Sequence, residues 1–323
     1  MIVVTGAAGF IGSAIVHELN NRGRTDILIV DEADDLEKKK NIEGIKFSGI
    51  KSKEEFLNDV LGQNVSGVEA IIHMGACSST TETDLNYLRI NNFEYTQHLA
   101  KFSLEGSSRF IYASSAATYG DGEKGYDDDE GLLETLSPLN PYGDSKQQFD
   151  LWAKKENILN RIVGLKYFNV YGPNEYHKES MQSMVRKGFL QINETKKLKL
   201  FKSYRSEYSD GGQVRDFVYI KDAVDMTLYF LDRPEIGGIF NVGTGKARCW
   251  NDLAKALFEA LEIKSNIEYI EMPESIRDQY QYYTCAKMEK MNKAGYVKPV
   301  SSLEEGVSDY VKKYLIPGKR LEN

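Results

Sequence analysis

A chain of 323 residues, 41 % of them hydrophobic, is long enough for one large domain or two modest ones with a buried core. The formal net charge of −7 argues against a nucleic-acid-binding surface, as does the shortness of the basic runs, Lys38 to Lys40 and Lys196, Lys197 with Lys199. Each run is typical of a solvated face.

The first half of the chain alternates short buried strands with helices. Apolar runs predict strands at residues 2–4, 27–30, 70–76, 110–113 and 163–167. Apolar residues recur at helical spacing from Ser13 to Asn21, and further helical stretches lie between the other strands. This alternation predicts an α/β fold with a Rossmann-type doubly wound parallel sheet.

The character of the sequence changes after Gly172 and Pro173. Residues 174–213 are polar, with a helical stretch at 181–190 and a loop at 203–212. Further on, the patterns predict a strand and a helix in 214–231, a helix at 247–261 and a strand at 266–270. We therefore predict a dinucleotide-binding domain over 1–172, to which 214–233 returns, and a smaller α/β substrate domain over 173–323.

A glycine turn follows the strand that opens the chain. Gly6, Gly9 and Gly12 have the spacing of a dinucleotide-binding turn, in which glycines permit a tight turn, close approach to the pyrophosphate and close helix packing. The phosphates of such a ligand lie at the positive N-terminus of the following helix. Asp31, at the end of the second strand, suits the ribose hydroxyls, so we predict a nicotinamide dinucleotide site.

The residues after the second strand point to two different cofactors. Asp31 by itself favours NAD, because its carboxylate binds the free ribose hydroxyls. Lys38 and its two neighbours can neutralise a 2′-phosphate, whereas Glu32 would repel it. The residues alone therefore leave NAD and NADP both open.

Three polar residues in the first half form a candidate catalytic group. Tyr142 and Lys146 are four positions apart, so on a helix they share one face. A lysine cation near a phenol favours the phenolate, which can act as a base or acid in alcohol–ketone interconversion. Ser115 ends a predicted strand and can hydrogen-bond the reacting oxygen, while Ser114 is the alternative.

Cysteines and histidines indicate no metal or disulfide framework. Cys77, Cys249 and Cys285 form no Cys-x-x-Cys pair, and the four histidines lack metal-ligand spacing. We expect no signal peptide, because the first residues run directly into a strand and a glycine turn, and no apolar run approaches the roughly 20 residues that span a bilayer. The expected location is the cytoplasm.

Together these motifs resemble the extended short-chain dehydrogenase/reductase family, which includes sugar-nucleotide epimerases and dehydratases. Family members carry the glycine turn, the strand-end hydroxyl, the Tyr-x-x-x-Lys pair and a later Tyr-Phe-Asn-Val-Tyr-Gly-Pro segment, here Tyr167 to Pro173. The resemblance covers nearly the whole chain. It implies a nicotinamide-dependent enzyme acting on a nucleotide-linked sugar, and a homo-oligomer.

A narrower resemblance is to the ADP-glycero-manno-heptose 6-epimerases within that family. It is carried by Gly75 to Glu82, by His177 with Lys178, by Arg215 to Tyr219 and by Phe240 to Gly245. It implies oxidation at the sixth carbon of a heptose of bacterial lipopolysaccharide, followed by hydride return to the opposite face. Tyr142 and Lys178 are the two implied acid–base groups.

The resemblance also implies two sets of binding residues. The implied cofactor contacts, beyond the three glycines, are Phe10, Ile11, Asp31, Glu32, Lys38, Lys53, Met74, Gly75, Ala76, Cys77, Ser78, Asn91, Lys146, Val170 and Lys178, with NADP expected and NAD as the alternative. The implied substrate contacts are Ser115, Asn169, Ser180, Lys187, Phe201, Arg215 and Tyr280. Within these sets, Glu32 replaces an expected asparagine and Lys187 an expected histidine, and the loop at 204–214 is longer than usual.

Other functions compete with this hypothesis. A 4,6-dehydratase would need an acidic pair just after the strand-end hydroxyl, where this chain has Ala116 and Ala117. A 4-epimerase shares Ser115, Tyr142 and Lys146 and is the main enzymatic alternative. A cofactor-binding sensor without chemistry is a further alternative, but such proteins usually lack the tyrosine or the lysine.

Overall fold

The computed structural model describes residues 1–32, 35–277 and 280–321. Its strands are β1 Ile2–Thr5, β2 Ile27–Val30, β3 Gly49–Lys51, β4 Ala70–His73, β5 Arg109–Ser115, β6 Ile162–Tyr167, β7 Asn169–Tyr171, β8 Leu198–Phe201, β9 Val214–Tyr219, β10 Gly238–Val242, β11 Ala247–Cys249 and β12 Ile267–Ile270.

Helices of the described residues are α1 Phe10–Asn21, α2 Leu36–Asn41, α3 Lys53–Leu61, α4 Leu85–Leu88, α5 Tyr95–Glu105, α6 Pro141–Lys155, α7 Met184–Thr195, α8 Ile220–Tyr229, α9 Trp250–Ala260, α10 Glu274–Arg277, α11 Glu289–Lys293 and α12 Leu303–Tyr310. Short 3₁₀ turns cover Ala116–Tyr119, Glu130–Thr135 and Tyr176–Met181, and π-helical turns cover Arg89–Glu94 and Val311–Leu315.

Within the described residues, a parallel sheet of seven strands has the order β10-β6-β5-β4-β1-β2-β3. Strand order reverses at β1, because the chain leaves β1 toward β2 and β3 and returns on its other side with β4. Thr5 pairs with His73, so the loops after β1 and β4 meet at this switch point. The Rossmann-type doubly wound sheet predicted from the sequence is confirmed.

Both faces of the sheet are covered, which explains why its strands are apolar throughout. Val3 and Ile71 face a cluster that includes residues of α3, α5 and α6. Val4 and Ile72 point the other way, into a cluster formed with α1, α8 and α9. The absence of polar residues in these strands thus agrees with a sheet that is buried on both faces.

The second half of the chain contributes strands to three sheets of the described residues: the large sheet, a three-stranded sheet and the pair β8 and β12. Strand β9 lies between β11 and β7 in a three-stranded sheet, whereas α8 packs against α1. The strand that joins the large sheet from this half is β10. The predicted domain boundary after residue 172 and the return of 214–233 stay predictions, and β10 lies outside that returning range.

Two predicted helices have different limits in the structure. The stretch predicted as a helix at 247–261 begins as strand β11, because Ala247–Cys249 pairs antiparallel with β9 and these long-range bonds override the local pattern. Helix α7 starts at Met184 rather than at residue 181, because Ser183 caps it by accepting a hydrogen bond from the Arg186 N–H.

A strand glycine tests the packing of the sheet. An alanine Cβ at Gly164 would lie 2.4 Å from Oη of the buried Tyr112. Gly164→Ala should therefore lower the free energy of unfolding by about 1–3 kcal/mol, measured by urea titration. In the matched control Gly49→Ala, the added Cβ meets only Leu28 Cδ1 at 3.4 Å. Equal unfolding midpoints for the two variants would contradict this packing.

Candidate active site

A cleft of about 880 Å³ opens at the carboxyl ends of the parallel strands. Its walls come from the loops after β1, β2, β4 and β5, from the start of α6, and from the chain after β6 and β9. Ligands of doubly wound sheets bind in this position. All of the predicted cofactor residues line the cleft.

The glycine turn allows backbone segments to approach with no room for side chains. Gly6 has a φ of +65°, and a Cβ there would lie 2.7 Å from the amide nitrogen of Gly75. A Cβ on Gly12 would lie 2.0 Å from the Gly6 carbonyl oxygen. Helix α1 has Gly9 at its N-cap and no side chain that caps it, so its first N–H groups face the cleft. This cradle fits a pyrophosphate.

Asp31 connects the glycine turn to α2. Its Oδ2 accepts a hydrogen bond of 2.8 Å from the Ala8 N–H, and its Oδ1 lies 3.2 Å from Lys38 Nζ. Lys53 Nζ donates to Asn91 Oδ1, and both residues also line the cleft. One part of the lining thus combines a carboxylate with lysine side chains.

Helix α6 and strand β5 present the predicted catalytic group together. Asn140 caps α6 by accepting a hydrogen bond of 2.8 Å from the Gly143 N–H, which fixes the first turn containing Tyr142. Lys146 follows one turn later, and its Nζ donates to the Ala113 carbonyl oxygen at 2.9 Å. Ser115 ends β5 and lines the same cleft.

The two candidate serines have different surroundings. Ser114 Oγ donates to the buried Asp150 carboxylate at 2.8 Å. Ser115 Oγ accepts from the Ala117 N–H at 3.1 Å and also hydrogen-bonds Tyr142. Of the two, Ser115 is therefore the serine that contacts the predicted catalytic tyrosine.

Burial dominates the electrostatics of this group. It raises the pKa of Tyr142, while a hydrogen bond with Ser115 lowers it. Burial also lowers the pKa of Lys146 to about 8. The direction for Tyr142 is opposite to the one expected from a neighbouring lysine cation, because loss of hydration penalises the phenolate.

Lys178 reaches the cleft from the turn Tyr176–Met181. Its Nζ lies 5.4 Å from the ring centroid of Phe10, the first residue of α1. Burial lowers the pKa of Lys178, nearby Glu175 opposes this effect, and Lys187 adds to it. The direction agrees with the expectation that burial or a neighbouring cation would depress this pKa.

At the other end of the cleft, aromatic rings surround Arg215. Its Cζ lies 5.1 Å from the ring centroid of Tyr280 and 5.7 Å from that of Trp250. Trp250 Nε1 donates to Tyr280 Oη at 2.9 Å. Among the described residues, no carboxylate lies within ion-pair distance of this buried guanidinium, so it is available to an anion.

The predicted substrate residues divide into two groups. Ser115, Asn169, Arg215 and Tyr280 line the cleft. In the described part of the chain, Ser180, Lys187 and Phe201 lie outside its lining: Lys187 Nζ donates to the Ser180 carbonyl oxygen, and Phe201 packs edge-on against Tyr280 with centroids 6.3 Å apart. The roles of all seven residues stay predictions.

Several lining residues were missed by the sequence reasoning. His177 precedes Lys178 directly, so the same motif could have indicated it. Trp250, Gln281 and Thr284 also line the cleft, but they come from segments that the fold brings back from far along the chain. No local pattern marks such residues.

No helix among the described residues is long and apolar enough to cross a membrane.

Comparison with known proteins agrees with this geometry. The family model described as "NAD dependent epimerase/dehydratase family" matches residues 2–243. The ADP-L-glycero-D-manno-heptose-6-epimerase of Nitratidesulfovibrio vulgaris (strain DP4) is 49 % identical over 316 residues, which cover 98 % of each chain.

Solved structures extend the comparison. The crystal structure of the Helicobacter pylori enzyme of the same name has a TM-score of 0.82 at 29 % identity, covering 97 % of this chain and 95 % of that one. A UDP-glucuronic acid 4-epimerase mutant from Bacillus cereus, solved with NAD, has a TM-score of 0.78 at 25 % identity, with 97 % and 99 % covered. The resemblance inferred from the motifs is confirmed, and the chain belongs to the NAD dependent epimerase/dehydratase family.

Proposed function

We propose that this chain is an ADP-L-glycero-D-manno-heptose 6-epimerase. The observation that carries the proposal is that Tyr142 and Lys178, which come from different elements, line one cleft together with the glycine turn. The 49 % identity to a relative of that name over 98 % of both chains supports the choice of sugar. A UDP-sugar 4-epimerase has less support, since the similar structure with that activity is 25 % identical.

The cofactor half of the cleft suits a nicotinamide dinucleotide. The first N–H groups of α1 would hold the pyrophosphate, and Asp31, Lys38, Lys53 and Asn91 the adenosine end. When bound, such a cofactor accepts hydride from the sugar carbon and returns it. The protein residues have to move the hydroxyl proton and hold the sugar.

Tyr142 is the proton donor to the sugar oxygen for one of the two epimers. Its phenol is protonated in the protein alone, because burial raises its pKa, so it is suited to donate a proton to the sugar oxygen or to share one with Ser115. Lys146, with a pKa of about 8, is largely cationic at neutral pH and stabilises negative charge that forms on the phenol.

Lys178 is the proton acceptor from the sugar hydroxyl of the other epimer. Burial lowers its pKa and so increases the neutral fraction of its amine, which is the form that can accept a proton. Glu175, itself buried, limits this shift. Two groups of opposite protonation preference thus stand at the same cleft, as an epimerisation requires.

Arg215 would bind the diphosphate of the substrate. A guanidinium fork matches phosphate oxygens, and this one has aromatic rings rather than carboxylates around it. Tyr280 and Trp250 offer apolar ring surface beside it for the adjoining nucleoside. Assembly into a homo-oligomer stays a prediction of the family resemblance.

For the cofactor we propose NADP, with NAD as the alternative. Lys38 supports this choice, because its ammonium group lies 3.2 Å from Asp31 and compensates the carboxylate that would otherwise repel a 2′-phosphate. Glu32 lines the same part of the cleft and acts against this preference.

The catalytic assignment is tested by offering ADP-D-glycero-D-manno-heptose and following the sugar by NMR. Tyr142→Phe and Lys178→Met should each lower kcat by about 10²–10⁴-fold, because each removes one proton-transfer group, while bound cofactor is retained. The control Lys255→Met, at an exposed lysine of α9 that pairs with Glu259, should keep wild-type turnover. No conversion by the wild-type protein, even with added NAD or NADP, would contradict the proposed substrate.

Cofactor choice is tested by Lys38→Ala. Loss of the ammonium group leaves Asp31 uncompensated, so the Kd for NADP should rise by about tenfold while that for NAD changes little. Fluorescence titration of cofactor-stripped protein measures both constants. Lys312→Ala is the matched control, since that lysine pairs with Glu262 at the surface, outside the lining of the cleft in the described part of the chain. Equal changes for the two cofactors would leave NAD as the better assignment.

A further inference from the structure

One buried amide connects the segment that carries Lys178 to the glycine turn. Asn41, the last residue of α2, is 2 % exposed. Its Nδ2 donates to the carbonyl oxygens of Ala8 and Asn174, both at 3.0 Å, and lies 3.2 Å from Nδ1 of His177. A single side chain therefore contacts both the turn that faces the pyrophosphate and the residue beside Lys178.

The C-terminal tail holds that amide in place. Arg320 Nε donates to Asn41 Oδ1 at 3.0 Å, and the same guanidinium pairs with Glu37 on α2. Its Cζ also lies 4.8 Å from the ring centroid of Tyr176, whose hydroxyl donates to the Lys319 carbonyl oxygen at 2.7 Å. Both polar atoms of the Asn41 amide are thus engaged, which fixes its orientation.

A second amide makes a parallel connection. Asn174 Nδ2 donates to Ser13 Oγ of α1 at 3.0 Å, and its Oδ1 accepts from the Leu321 N–H at 3.1 Å. The segment from Asn174 to Met181 is thereby attached to α1, to α2 and to the tail.

From these contacts we infer that Asn41, oriented by Arg320, is a positioning residue that holds Lys178 in a fixed position relative to the glycine turn. The inference rests on the proposed function, because it assigns Asn41 to the half of the epimerisation that uses Lys178. Neither residue lines the cleft within the described part of the chain, so both act through the segment that they hold.

Lys178 needs to be held in place because an acid–base group works only at the correct distance from the reacting atoms. A displacement of about 1 Å can cost about a hundredfold in rate, and Lys178 stands on a short turn rather than in a long helix. The charged and titratable groups around it are Glu175, Lys187 and His177, with Phe10 on the side of α1. If the segment moved away from α1, solvent would reach the amine and change both its position and its protonation.

A double-mutant cycle on the full chain tests the inference. Asn41→Leu keeps the side-chain volume but removes the amide. Arg320→Met removes the guanidinium group that orients this amide, at a position that is less buried than Asn41. Each should lower kcat with ADP-D-glycero-D-manno-heptose by about tenfold or more, while the KM and the bound cofactor content change by less than about twofold. In a Lys178→Met background the same substitutions should cost less than about twofold, because their effect passes through Lys178. In a Tyr142→Phe background the full factor should persist.

Two further measurements separate positioning from general loosening of the fold. The limb of the pH–rate profile that depends on Lys178 should move to higher pH in Asn41→Leu, because solvation returns the lysine pKa toward its ordinary value. Amide hydrogen exchange in residues 174–181 should become faster in both variants. Matched controls are Asn20→Leu, which removes an amide that donates to the Arg24 and Lys46 carbonyl oxygens, and Arg24→Met, which removes the ion pair to Glu69.

Several results would overturn the inference. Turnover of Asn41→Leu within about twofold of wild type would do so, as would an undiminished loss in the Lys178→Met background or an equal loss in the two controls. If Asn41→Leu fails to fold by circular dichroism, Arg320→Met carries the same expectations. Failure of the wild-type protein to convert the sugar contradicts the proposed function instead, so the two failures are distinguishable.

Discussion

The buried Asp150 carboxylate is the interaction on which the geometry of the cleft depends. It is fully buried on α6 and accepts hydrogen bonds of 2.8 Å from Tyr112 Oη and Ser114 Oγ on β5, while Lys166 Nζ on β6 lies 3.5 Å away. An unpaired carboxylate in this position would cost several kcal/mol, so the three partners hold α6 against both strands. Tyr142 and Lys146, two turns and one turn earlier on α6, are placed beside Ser115 by this contact.

The same polar network reaches the second half of the chain. Lys166 Nζ donates to Thr118 Oγ1 at 2.7 Å and lies 4.5 Å from the ring centroid of Tyr119. Tyr119 Oη donates to Asn241 Oδ1 on β10 at 2.7 Å. Asp216, next to Arg215, accepts from the N–H groups of Thr244, Gly245 and Ala286 in the same region. Buried polar groups therefore connect β6 to β10, and others connect β9 to the segments that follow β10.

Patterns confined to a few neighbouring residues predicted the fold well, because buried strands, a glycine turn and an i, i+4 pair are local features. The sequence could not place contacts that depend on distant segments. Ala247–Cys249 became a strand through pairing with β9, and Asn41 contacts His177 across 136 positions. Glu179, with a φ of +44°, is a further example, since no local pattern marks a non-glycine residue in the left-handed region beside Lys178.

Three cations that line the cleft are desolvated, although the chain as a whole carries a net charge of −7. Burial lowers the pKa of Lys146, Lys178 and Arg215, which means that the neighbouring groups do not fully offset the desolvation of their charges. An anionic ligand supplies that missing charge, but a diphosphate close to Lys178 would also raise its pKa and reduce the neutral fraction of its amine at neutral pH. The proposed chemistry therefore favours a substrate diphosphate that binds at Arg215, among the rings of Tyr280 and Trp250, rather than beside Lys178.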